Sequence, residues 1–250
     1  MAANPNKACC SIPPVESDYS DFKGSFETIN GLNTYVSGDA NAKKAIIATM
    51  DIFGLAPQTK QGVDIIAKST GARVYLPDYF HGKPISHDQY PPDTKEKEEL
   101  IQEFFSTRAE PGKNKQILTD FGKELKNRGH TSVGAYGFCW GGKVTILSGG
   151  EGTPFAAVAQ IHPAFISEDD AKALVVPVAS FPSKDEPKED AAKFEKAVES
   201  KPFASKSVFK TYDDQHHGWA AARADLDNES NKKAYEDVYS RLAAFFNDNL

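Results

Sequence analysis

The chain has 250 residues, 40% hydrophobic and 26% charged, the balance of a globular protein able to bury a large core. A net charge of −6 without any basic cluster argues against nucleic acid and against membrane as partners, and no apolar run reaches the ~20 residues that span a bilayer. Three cysteines, two of them adjacent at Cys9-Cys10, imply no disulfide framework, and the first residues carry no signal-peptide pattern, so a cytoplasmic location is expected.

Residues 1–24, rich in Pro, Ser and Asp, predict an irregular surface arm ahead of one domain over 25–250. Phe26–Ile29 and Leu32–Val36 flank Asn30-Gly31, the signal of a type I′ hairpin. Lys44–Met50 is a near-continuous apolar run, as in a strand buried on both faces. A helix is predicted over 58–70, ending at Gly71, and a strand over 73–76, stopped by Pro77. Residues 80–93 carry three prolines and form an excursion. Helices are expected near 93–107 and 114–128, then strands at 132–136, 155–161 and 174–179. A charged helix at 187–199, a strand at 206–212 and a helix at 229–247 complete the chain. This alternation predicts an α/β fold, an open and mostly parallel sheet with helices on both faces. Ligands bind such sheets at the carboxyl ends of strands.

Gly137-Phe138-Cys139-Trp140-Gly141-Gly142 stands at one of those ends. It reads as a strand, a very tight turn and a helix resuming at Gly141. Glycines at minus two and plus two let strand and helix backbones pass closely, the spacing of a nucleophile elbow with cysteine in place of serine. The helix N-terminus aimed at sulfur favours thiolate.

A thiol nucleophile needs a base, an orienting acid and oxyanion donors. His217 follows the strand 206–212; His216 competes, and Gly218 favours His217 because a small neighbour lets the ring approach closely. In the loop after 174–180, Asp185 is the expected acid, since Glu186 abuts Pro187 where the chain turns into a helix. The order Cys139, Asp185, His217 matches the chain order of an α/β-hydrolase. The N–H of Trp140 is the natural first oxyanion donor, and Asp51-Ile52-Phe53-Gly54 supplies the second from Ile52. His162-Pro163 opens at the same edge, lining the pocket or packing behind it. Phe53, Tyr79, Trp140 and Trp219 are either pocket walls or core.

Asp51-Ile52-Phe53-Gly54-Leu55, Pro77–Gly82, the Cys139 elbow, the Asp185 loop and His217-Gly218-Trp219 together resemble the dienelactone hydrolase family over residues 25–248. The arm Ala8–Val15 is similar to that of fungal members. The resemblance implies an α/β-hydrolase with a Cys-Asp-His triad. It would act on lactone or activated ester carbonyls without metal or organic cofactor. It also implies a thiol-activating role for Asp51, where bacterial members carry the longer glutamate. Where those members hold a substrate carboxylate with two arginines, this chain offers His81 or Lys83, and Arg223. Two rival functions fit the same residues: a hydrolase or cyclase of polyketide lactones and thioesters, and a non-catalytic, redox-sensing thiol protein.

Overall fold

The computed structural model describes residues 18–250; Ala8–Val15, with Cys9 and Cys10, lies outside them. Residues 18–24 run without helix or strand into a hairpin of β1 (Ser25–Ile29) and β2 (Leu32–Ser37). Its turn has Asn30 at φ 49° and Gly31 at φ 78°, the left-handed pair a type I′ turn requires. There follow β3 (Lys44–Thr49), α1 (Pro57–Thr70), β4 (Arg73–Pro77), α2 (Lys95–Ser106), α3 (Pro111–Asn127) and β5 (Ser132–Phe138). The chain ends with α4 (Trp140–Leu147), β6 (Ala157–Ile161), α5 (Glu168–Ala173), β7 (Val178–Phe181), α6 (Lys188–Glu199), β8 (Val208–Phe209) and α7 (Glu229–Asn249).

The strands form one eight-stranded sheet in the order β1-β2-β4-β3-β5-β6-β7-β8. Only the β1–β2 and β2–β4 pairs are antiparallel. Alternation along β5 shows why both faces need helices. Gly134, Tyr136 and Phe138 face α7, with Tyr136 6.1 Å from Phe246 and Phe138 6.3 Å from Tyr239 between ring centres. Gly137 faces α4, where an added Cβ would lie 2.1 Å from the Gly141 carbonyl oxygen. With both faces covered, β3 and β5 are almost wholly buried and read as apolar runs.

Two strands depart most from prediction, and one α-helix is additional. Of 174–179 only the end is strand, β7 starting at Val178; Val175 N–H instead donates to the Gly149 carbonyl at 3.1 Å. Of 206–212 only Val208 and Phe209 pair regularly, with one further bridge between Ser183 and Tyr212. This is the sheet edge, where side-chain groups replace ladder bonds: Ser207 Oγ accepts from Val178 N–H at 3.2 Å. The short α5 starts at Ser167, whose hydroxyl accepts the Asp169 N–H at 3.2 Å.

The chain turns from β3 to β4 on one side and returns to β5 on the other. The loops after β3 and β5 therefore part at the carboxyl edge, the crevice in which such sheets bind ligands. Among the described residues no helix is long and apolar enough to cross a membrane.

Candidate active site

Cys139 occupies the turn between β5 and α4 with φ 52° and ψ −118°, a conformation costly for a non-glycine residue. The turn is pinned by its own backbone. Cys139 N–H donates to Ile161 C=O at 3.1 Å, and its carbonyl accepts from Gly142 and Ala164 at 3.1 and 3.0 Å. Both flanking glycines are required by close approach. A Cβ on Gly137 would strike the Gly141 carbonyl, and one on Gly141 would lie 2.4 Å from the Met50 and Thr49 carbonyl oxygens. The second contact presses the elbow against the end of β3 and so beside the 51–54 loop.

That loop is an Asx turn, with Asp51 Oδ1 accepting the Phe53 N–H at 2.9 Å. Phe53 N–H is thereby occupied. The N–H groups of Ile52 and Trp140 have no acceptor among the described residues. Asp51 Oδ2 accepts the Ala222 N–H at 3.2 Å, so this carboxylate ties the loop to the stretch after His217. Ile85 N–H donates to Ile52 C=O at 3.0 Å and brings the 80–93 excursion alongside.

The acid is where sequence and structure part. His217 Nδ1 meets Glu186 Oε1 at 2.6 Å, both side chains being buried. Glu186 Oε2 also accepts the Ser183 N–H. Asp185 Oδ2 instead accepts the backbone N–H of His217 at 2.7 Å. Asp185 thus orients the loop, while Glu186 orients the ring. The reason is local: neighbouring residues in a bent loop point to opposite sides, and the turn at Pro187, the N-cap of α6, directs Glu186 inward. A carboxylate on Nδ1 sets the tautomer, with the proton on Nδ1 and the lone pair on Nε2. His216, half-buried, makes no such pair.

His162 was not placed in the triad by its sequence position, yet it packs edge-on to His217 at 5.0 Å and stacks on Phe138 at 5.6 Å. It thereby links the histidine loop to the residue before Cys139. It is fully buried, with φ 36°, and neither ring nitrogen has a hydrogen-bond partner among the described residues. Burial holds its pKa well below the usual range, with the charges of His217 and Arg223 adding to the effect.

The folded chain therefore binds no proton at His162 where the unfolded chain, titrating near pH 6.5, does. Stability from this group is full above that pH and falls on acidification, by about 1.4 kcal/mol per pH unit. His162→Phe is expected to flatten that acid slope and raise the melting temperature by a few degrees, because it removes two unsatisfied nitrogens. His130, also held low by burial, leaves a residual slope. Thermal melts from pH 5 to 8 measure both; an unaltered slope would place the titrating group elsewhere.

The predicted pocket residues divide. Tyr79, Trp140 and Trp219 are core. Trp140 Nε1 donates to Ala109 C=O at 2.7 Å, Tyr79 lies against the Trp140 ring at 5.9 Å, and Trp219 packs on Tyr212 at 4.4 Å. Phe53, buried at the rim of the core with 9% exposure, meets Tyr90 of the excursion edge-to-face at 5.3 Å. His81 and Lys83 are exposed, and the Lys83 carbonyl is held by Arg108 Nη1 at 2.8 Å. Asp78, in the Pro-Asp motif, accepts the N–H groups of Phe80 and Gly82 at 3.0 and 2.6 Å and so shapes that turn. Arg223 is only 1% exposed, its guanidinium carbon 5.0 Å from the Tyr90 ring centre and 5.5 Å from that of Phe53. Gly218 proves necessary for a different reason than the approach of the imidazole: at φ 94°, its Cβ would lie 2.7 Å from Arg223 Cδ.

Of the residues in this assembly Tyr90 alone carries no signal in the sequence; Glu186 stands there as the alternative to Asp185, and His162 as a residue lining the pocket or packing behind it. Among the described residues no group of three or more His, Cys, Asp or Glu side chains could hold a metal ion.

A family model described as the dienelactone hydrolase family matches residues 32–250. An uncharacterised AIM2 family protein of Schizosaccharomyces pombe is 39% identical over 228 residues, 90% of this chain and 91% of the relative. A hydrolase of Aspergillus violaceofuscus is 26% identical over 260 aligned positions, covering 100% of this chain and 99% of the relative. Among solved structures, a protein of Klebsiella pneumoniae assigned as a dienelactone hydrolase superposes with a TM-score of 0.68 at 18% identity. That match covers 89% of this chain and 97% of the other, and the likeness is one of fold.

Proposed function

The chain belongs to the dienelactone hydrolase family, and we propose that it hydrolyses lactones or activated esters through Cys139, His217 and Glu186. The observation that carries this reading is the buried Glu186–His217 contact at 2.6 Å, on a ring joined through His162 to Phe138, the residue before the strained Cys139 turn. An exposed or structural histidine has no need of a buried carboxylate on Nδ1 and a lone pair on Nε2.

In the proposed reaction His217 Nε2 takes the Cys139 proton, and the resulting thiolate attacks the acyl carbon. The carbonyl oxygen becomes an oxyanion, received by the N–H groups of Ile52 and Trp140. Collapse re-forms the carbonyl, breaks the bond to the alkoxy or enol oxygen and leaves a thioester on Cys139. The proton on His217 passes to the departing oxygen. Water, deprotonated by His217, attacks the thioester; the carboxylic acid leaves, and the proton returns to sulfur. Glu186, in contact with Nδ1, balances the imidazolium formed at each step. Thiolate attacks readily while thioester hydrolysis can lag, so substrates with good leaving groups, such as enol lactones and aryl esters, fit best. Asp51 shapes the oxyanion loop and is proposed to bear on the thiol through it.

Rapid quenching with an aryl ester, followed by peptide mass spectrometry, tests the covalent step. An acyl group on the Cys139 peptide that decays as product forms is expected. Turnover with that peptide unmodified would sink the mechanism.

A further inference from the structure

Arg223 touches three separate stretches of the site. Its Nη1 donates to the His217 carbonyl at 3.2 Å. Its guanidinium lies over Phe53 of the oxyanion loop and over Tyr90 of the 80–93 excursion. Its stem crosses Gly218, where the backbone has φ 94° and a Cβ would not fit. Asp51 repeats the connection from the other side, joining the Phe53 and Ala222 N–H groups. A guanidinium suits such a place because it is weakly hydrated and stacks on rings.

An arginine that receives a substrate carboxylate must present its planar fork to the incoming anion. Here the guanidinium packs beside the Phe53–Tyr90 pair, whose ring centres lie 5.3 Å apart, one N–H donates to the His217 carbonyl, and the residue is 1% exposed. Buried this far against two rings, the fork is not presented to solvent, and a carboxylate pairing with Nη1 would compete with the His217 carbonyl. We propose that Arg223 is a positioning residue that locks the His217 loop to the Phe53 and Tyr90 loops, and that the acyl group admitted beside Cys139 is uncharged. The second half rests on the reading of Cys139 as the nucleophile.

The test compares a neutral and an anionic reagent on the same thiol and needs no turnover. Cys139 of the full chain is alkylated with iodoacetamide and with iodoacetate, and its peptide is followed by mass spectrometry so that Cys9 and Cys10 do not interfere. Wild type, Arg223→Met and Arg223→Lys are compared. The ratio of the two rates is expected to change by less than about threefold in Arg223→Met, the size of a general field effect. The pH midpoint of alkylation should rise by roughly half a unit, because a nearby cation has gone, and Arg223→Lys should restore it. A residue that only fills space would not move that midpoint, and a fixed midpoint overturns the positioning role. A selective loss of about tenfold or more with iodoacetate overturns the proposal in favour of an anion receptor.

Should both variants fail to fold, wild type decides: succinate that leaves Cys139 open to iodoacetamide supports the proposal, and succinate that protects it overturns it. In parallel, p-nitrophenyl butyrate is expected to outperform p-nitrophenyl hemisuccinate in kcat/KM, and the reverse order overturns the uncharged acyl group. Wild type inert toward both esters would sink the hydrolase reading instead and leave Arg223 to be judged by alkylation.

Discussion

Cys139→Ala is expected to abolish hydrolysis of every ester and lactone that wild type accepts, a fall in kcat/KM of about four orders of magnitude or more. The elbow itself should survive. Alanine meets the same left-handed strain at φ 52° as cysteine does, and it keeps the main-chain hydrogen bonds to Ile161, Gly142 and Ala164 that pin the turn. The melting temperature should therefore stay near that of wild type while activity disappears. Cys139→Ser separates thiol chemistry from position: a hydroxyl ionises far less readily, so below about 1% of wild-type kcat/KM is expected to remain. Initial rates with an aryl ester, paired with circular dichroism melts, give both readings. Residual activity near wild type in the alanine variant would place the nucleophile elsewhere.

Glu186→Gln should cost about 10³-fold or more in kcat with little change in KM, because an amide on Nδ1 can hold the wrong tautomer and cannot balance an imidazolium. Asp185→Asn should cost no more than about tenfold. The Asn carbonyl oxygen can still accept the His217 N–H that Asp185 Oδ2 now receives at 2.7 Å, and one hydrogen bond loses only its charge assistance. The pair discriminates cleanly because the two residues are neighbours in one loop and differ only in which part of His217 they touch. Steady-state kinetics of both variants settle the order. A larger loss in Asp185→Asn would return the triad acid to Asp185.

Those neighbours also mark how far the sequence could be read. The elbow was legible because its chemistry is local: Gly137 and Gly141 are forced by contacts within a few residues of Cys139 and with the adjacent β3 end. The parallel sheet was legible because strands buried on both faces must be apolar throughout, as β3 and β5 are. The edge was not, since β8 pairs at Val208 and Phe209 only and side chains complete its bonding, which no periodicity records. Which of Asp185 and Glu186 reaches an imidazole depends on the exit angle of the loop at Pro187, a matter of a single rotation of the chain.

The sequence by itself determined the fold class and the tight glycine-flanked turn at Cys139, because each follows from spacing along the backbone and from where glycine alone will fit. Only the tertiary structure decided that Glu186 rather than Asp185 orients His217, and that Tyr79, Trp140 and Trp219 belong to the core. It alone showed that Arg223 is buried against Phe53 and Tyr90 and that His162 packs on His217. Those facts join residues far apart in the chain through side-chain direction and burial. Both are set by the packing of loops against one another, and composition and spacing carry no record of them.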